Sequence, residues 1–163
     1  MIYLKLFILY SHLGFIFESF VFKLSNTNKH SGVLIGPYTL VYGLGGILCY
    51  YLSKHLNNLI LEYLAFTLCT TLVELITGHL INFIFHFDSW NYSYKRMHIG
   101  KYISFDYAFI WGVLALIFVK YLNNFFNEII SLIPNTFFII EIIIIIIDLL
   151  ITFFYTKEKS RLN

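Results

Sequence analysis

Residues 32–46 read GVLIGPYTLVYGLGG. This stretch holds five of the nine glycines and one of the two prolines, with apolar segments on both sides. In lipid, every backbone N–H and C=O must find its partner inside the segment or from other protein groups. A Gly-Pro break at membrane depth is therefore costly unless it is buried in protein or lines a cavity. The pattern predicts an all-α bundle with one broken or re-entrant entry, and that entry is the first place to look for a site.

The composition requires the lipid. Hydrophobic residues make up 59% of the chain and charged residues 12%, against about 45–50% and about 25% in soluble domains. The 163 residues leave room for about five spans of roughly 20 residues. That is one membrane domain over 1–156 with a charged tail over 157–163. A net charge of +2, spread along the chain, gives no basic patch for nucleic acid. Cys49 and Cys69 fall inside spans and read as small apolar packing residues, with no disulfide framework. The apolar N-terminus lacks a small-residue cleavage site and reads as an uncleaved first helix.

Five spans follow in order. Span 1 covers about 3–24, with Ser11, Gly14 and Glu18 on one helix face. Span 2 covers about 37–56, with Pro37 opening the helix, where no N–H is needed. Span 3, about 59–85, carries Glu74 among fifteen Leu, Ile, Val and Phe residues. At roughly −0.3 to −0.6 kcal/mol each these outweigh one central carboxylate. A polar, aromatic loop, HFDSWNYSYKRMHIGKY, occupies 86–102. Span 4 covers about 103–119, with Asp106 near its start. Residues 120–135 alternate apolar and polar faces and predict a short helix lying in the membrane surface, ended by Pro134. Span 5 covers about 137–154, with Glu141 and Asp148 seven residues apart on one face.

Five crossings put the termini on opposite sides. Lys5, Lys54 and Lys120 collect on the N-terminal side, whereas eight Lys and Arg residues collect on the other. The positive-inside rule then places the N-terminus outside and the C-terminus in the cytoplasm. Both unusual loops fall on the cytoplasmic side, with Glu18, Glu74, Asp106 and Asp148 toward it. Ionisable residues within spans usually face a bundle interior or a wet cavity. Glu18 and Glu74 are thus the leading candidates for a polar site, with Asp106 and Asp148 as possible additions. Glu62 and Glu141, near the outer boundary, are expected to be solvated.

Several chemistries are excluded as motifs. No Gly-Lys-Ser/Thr follows the glycines, so there is no Walker loop, and no G-x-S-x-G elbow occurs. The histidines, His30, His79, His86 and His98 among them, match no compact ligand set, and no metal or other cofactor is expected. The chain has no ATPase or hydrolase motif of its own.

The blocks Tyr10-Ser11, Gly14, Glu18, then His30 to Leu34, Gly36-Pro37, Leu40 to Gly43, Glu74, Trp90 to Ser93, and His98, Gly100, Lys101 form an ordered series. Over about 8–112 this series resembles the CmpB-type ABC-transporter permeases of type IV, small multi-span bacterial membrane proteins. The family shows Asn-Arg where this chain has His30-Ser31, Asp where it has Asn91, and Arg where it has Lys101. A lysine cannot reproduce the bidentate clamp of an arginine. The resemblance implies a transport role in the bacterial inner membrane. A permease-like subunit without a nucleotide site implies a separate ATPase subunit, and a chain this small implies a homo-oligomer or a partner permease. The site residues would be Glu18, Glu74, Gly36, Pro37, Tyr42, Trp90, Tyr92, His98, Gly100 and Lys101. Two other roles fit the same residues. One is a membrane enzyme or binder acting on a lipid headgroup or lipid-linked substrate. The other is a non-catalytic scaffold in which the acids only lock helices together.

Overall fold

A computed structural model describes residues 1–26 and 31–162, with side chains as far as Thr156. His30 and the charged side chains of the tail lie outside the described residues. The helices are α1 (Ile2–Leu24), α2 (Leu40–Ser53), α3 (Leu59–Phe85), α4 (Phe105–Leu116), α5 (Asn123–Leu132) and α6 (Asn135–Leu162). A π-helical segment, Ile117–Leu122, joins α4 to α5. A two-stranded hairpin, β1 (His98–Ile99) and β2 (Ile103–Ser104), sits in the loop before α4.

Four helical runs are long and apolar enough to cross a membrane: Ile2–Leu24, Leu59–Phe85, Phe105–Leu132 and Asn135–Thr156. Their outward faces carry large exposed apolar side chains such as Leu68, Leu72, Ile76 and Phe83, the surface lipid would cover. The chain is an integral membrane protein built as a helix bundle. The amphipathic helix expected over 120–135 exists as α5 but is not a separate element, because the helical run from Phe105 does not break before it.

Helix α2 is the exception. Its 14 residues span about 21 Å, short of a hydrocarbon core of about 30 Å. Pro37 does not open it. The Tyr38 N–H turns back to the Gly36 carbonyl and the Thr39 N–H donates to the Ser11 carbonyl, so the helix starts only at Leu40. Ser11 lies near the middle of α1. From that level α2 runs antiparallel to the first half of α1, Tyr42 facing Gly14 and Tyr50 reaching Tyr3. Gly14 and Gly43 permit this closeness. A Cβ on either would lie 2.3 Å from the facing side chain, the Tyr42 ring or the Ser11 hydroxyl. Non-helical chain therefore reaches mid-depth over 31–39, and its residues Ser31, Leu34, Tyr38 and Thr39 are buried. This is the broken entry expected from the glycines.

The ends of the helices are satisfied individually. Asn58 caps α3 by accepting from the Ile60 and Leu61 amides at 2.9 and 3.1 Å. His86 closes the same helix in the left-handed conformation. Pro134 has no N–H for the Ile130 carbonyl. Buried Lys5 supplies the donor instead, its Nζ reaching the Ile130 and Ile133 carbonyls at 3.0 and 3.2 Å. A cation at a helix C-terminus also suits the helix dipole.

Candidate functional site

Helices α1 to α4, the entry at residues 32–34 and 38–39 and the loop at residues 89–94 line a partly open cavity of about 680 Å³, with Phe118 and Val119 of the π-helical segment and Leu149 of α6 completing the wall. Both leading acids line it, Glu18 from α1 and Glu74 from α3. The Glu18 carboxylate accepts from Ser31 Oγ at 2.7 Å, and Ser31 in turn pairs with Thr39 Oγ1 at 2.8 Å. The broken entry thus positions one acid. Glu74 is only 8% exposed. Its Oε1 accepts from Trp111 Nε1 at 2.9 Å and from the Tyr92 hydroxyl at 3.2 Å, while its buried Oε2 has no partner.

Aromatic rings surround these acids. Tyr92 stacks on Tyr107 at 4.9 Å, Tyr107 on Trp111 at 6.4 Å, and Tyr42 meets Trp111 edge-on at 5.4 Å. The Tyr42 hydroxyl lies beside Glu18 but meets no acceptor in hydrogen-bond geometry. The Trp90 indole N–H is also buried without a partner. Burial, and then the neighbouring Glu74 carboxylate, push the Tyr92 hydroxyl well above its usual pKa. It stays protonated and acts as a donor.

The remaining expected residues fall elsewhere. Gly36 and Pro37 do not line the cavity; residues 32–34 and 38–42 line it instead. Asp148 is buried, and its carboxylate accepts from the Ile35 and Gly36 amides at 3.0 and 2.7 Å. It fastens the entry to α6 from outside the cavity. Glu141 is not simply solvated: Tyr38 Oη donates to it at 2.7 Å, and His12 Nε2 lies 3.6 Å away. His12 also holds the Pro37 carbonyl at 3.1 Å through Nδ1. Glu62 is not solvated either. It is fully buried and pairs with Lys120 at 2.6 Å. Asp106 is exposed, with Lys95 3.8 Å away. Among the described residues no three His, Cys, Asp or Glu side chains form a metal-holding group.

His98, Gly100 and Lys101 belong to the hairpin rather than to the cavity wall. His98 Nδ1 contacts the Gly100 carbonyl at 2.8 Å, and Gly100 takes a left-handed φ of 61° at the turn. Lys101 pairs with Asp88 at 3.0 Å. Asp88 also accepts from Tyr102 Oη at 2.5 Å and Asn82 Nδ2 at 2.9 Å. The Tyr102 bond, then Lys101, holds the Asp88 carboxyl below its usual range. Burial and the same bond push Tyr102 up to about 12. Sequence reasoning missed Asp88 as a hub; its one local signal was an acid six residues after Asn82 at the end of α3.

The hub makes a prediction about the loop. Asp88→Asn weakens three bonds at once, and amide exchange over 98–104 is expected to rise several-fold, read by hydrogen–deuterium exchange. Because the folded pKa of Asp88 lies below its unfolded value, the stabilisation is present at neutral pH and disappears as pH falls through that lowered pKa. Wild type at acid pH should therefore approach the variant. Equal exchange in both proteins at neutral pH would remove Asp88 as the organiser of the loop.

A family model described as Putative ABC-transporter type IV matches residues 5–156. No curated protein and no solved structure matches the chain.

Proposed function

The chain belongs to the type IV ABC-transporter family matched over residues 5–156, and from that premise we propose that it is the permease-like membrane subunit of such a transporter. The observation that carries the proposal is the meeting of Glu18, Tyr42, Glu74 and Trp111, from four different helices, around one cavity. Such a cavity between helices is the common location of a small-molecule site in a bundle.

In this role Glu18 and Glu74 hold the substrate, and Trp90, Tyr92 and Tyr42 shape its surroundings. The hairpin residues His98, Gly100 and Lys101 set the position of the loop above, and Gly36 and Pro37 set the entry. The positive-inside rule places this loop end in the cytoplasm and the N-terminus outside. Without a phosphate-binding loop the chain needs a separate nucleotide-hydrolysing subunit, which would dock on the cytoplasmic loops, and a homo-oligomer or partner permease to complete a pathway.

Affinity purification of the tagged chain from its native membranes tests this. An ATPase subunit carrying a Walker sequence is expected to copurify in fixed ratio, and vesicles holding both are expected to show ATP-dependent flux. Recovery of the chain without any ATPase would overturn the assignment.

A further inference from the structure

The charge of the cavity is one-sided. Its lining includes two carboxylates and, among the described residues, no Lys, Arg or His. Buried charges are ordinarily paired or fully hydrogen-bonded, and the other buried acids of this chain follow that rule: Glu62 has Lys120, and both oxygens of Asp148 are taken by the Ile35 and Gly36 amides. Glu18 and Glu74 have only uncharged donors, hydroxyls, an indole and the Gly32 amide. Glu74, nine-tenths buried, still presents one unpartnered oxygen. Tyr92 and Trp111 turn their O–H and N–H edges to that carboxylate, while the faces of Tyr92, Tyr107 and Trp111 stack on one another. The rest of the wall, including Leu80, Ile81 and Ile84, is apolar.

From this arrangement, and resting on the assignment of the cavity as the substrate site, we infer that the cavity binds an amphiphilic organic cation, an ammonium group on an apolar body. The ammonium sits between the two carboxylates, whose attraction is strong in a cavity with apolar walls. The apolar body lies along α3. A metal ion fits poorly, because two carboxylates and aromatic rings do not complete a coordination shell. A phosphate or carboxylate ligand would meet like charge and no basic side chain among the described residues.

The test uses the full chain in uncharged maltoside micelles, with empty micelles subtracted. Calorimetry compares three probes of one shape at neutral pH: 4-phenylbutylamine, 4-phenylbutanol and 4-phenylbutyrate. The amine is expected to bind at least about ten-fold tighter than the alcohol, and the carboxylate to show no saturable binding. Glu74→Gln and Glu18→Gln are each expected to bring the amine down to the level of the alcohol, while Glu128→Gln, at an exposed acid on α5, leaves it unchanged. Equal binding of amine and alcohol by wild type overturns the inference, and that comparison needs no variant to fold. Displacement of the amine by phosphatidylethanolamine in mixed micelles would assign the cation to a lipid headgroup, and failure to displace it to a free amine. An ATPase partner recovered from a chain that binds all three probes alike would sink the cation and keep the transporter. Charge-selective binding by a chain with no ATPase partner would do the reverse.

Discussion

Asp148→Ala is expected to destabilise the protein by roughly 3–6 kcal/mol, the loss of two charge-assisted hydrogen bonds of about 1.5–3 kcal/mol each. The Asp148 carboxylate takes the Ile35 amide on Oδ1 and the Gly36 amide on Oδ2. These N–H groups belong to non-helical chain on its way to the level of Ser11. They have no ladder or turn partner, and within a membrane an orphaned amide costs several kcal/mol. Asp148→Asn should cost about half as much, since it keeps one oxygen and turns an NH₂ donor toward the other amide. Thr152 Oγ1, which donates to Oδ1 at 3.1 Å, keeps that oxygen oriented. Gly36→Ala provides an independent arm. Its Cβ would stand 2.9 Å from Asp148 Oδ2 and 2.8 Å from Cε2 of Tyr38, so carboxylate and backbone could no longer approach. Thermal unfolding in detergent, followed by tryptophan fluorescence, reads all three. A melting curve for Asp148→Ala that matches wild type would mean the entry loop is held by something else.

The same residue shows how far the sequence could be read. Glu141 and Asp148, seven apart, were expected on one face, and they do share it. What that face meets, the 35–38 turn more than one hundred residues earlier, leaves no local trace. Long spans were legible because hydropathy is a one-dimensional property: α3 has its expected limits, and the apolar run Asn135–Thr156 lies within two residues of the fifth span, although α6 itself continues to Leu162. The Gly-Pro break was legible because a glycine followed by a proline marks a turn, whereas single glycines such as Gly14 are tolerated within helices. The start of α2 was not, since Pro37 suits a first helical turn and only the bonds of Tyr38 and Thr39 to Gly36 and Ser11 delay the helix to Leu40. Glu18 and Glu74 were recognised as acids inside apolar spans, and the fold brings them to one cavity. Lys101 was expected at the site because of its motif position, but its ammonium pairs with Asp88, thirteen residues away in sequence, which also accepts from Tyr102 and Asn82. His12 gave no signal at all; its role appears only once α1, the entry and α6 are side by side.

Lys120→Met is expected to cost about 3 kcal/mol or more, the range seen when one partner of a buried ion pair is removed, whereas Glu62→Leu alone should cost much less. The two ends of the pair differ. Glu62 is fully buried in the first turn of α3, while the Lys120 side chain is 41% exposed. Removing the lysine leaves a carboxylate in an apolar wall with one oxygen, Oε2, already lacking a partner. Removing the carboxylate leaves a long, flexible ammonium that can turn outward to the interface. The double variant Glu62→Leu with Lys120→Met buries two apolar side chains in place of two charges, and desolvation no longer opposes packing. Replacing such a pair is often neutral or stabilising, so the double variant should recover most of what Lys120→Met loses. The coupling is therefore read from the recovery, by unfolding all four proteins of the cycle in the same detergent. If Glu62→Leu proves as damaging as Lys120→Met, or the double variant melts no higher than Lys120→Met, the cost lies in packing between α3 and the π-helical segment, not in a stranded charge.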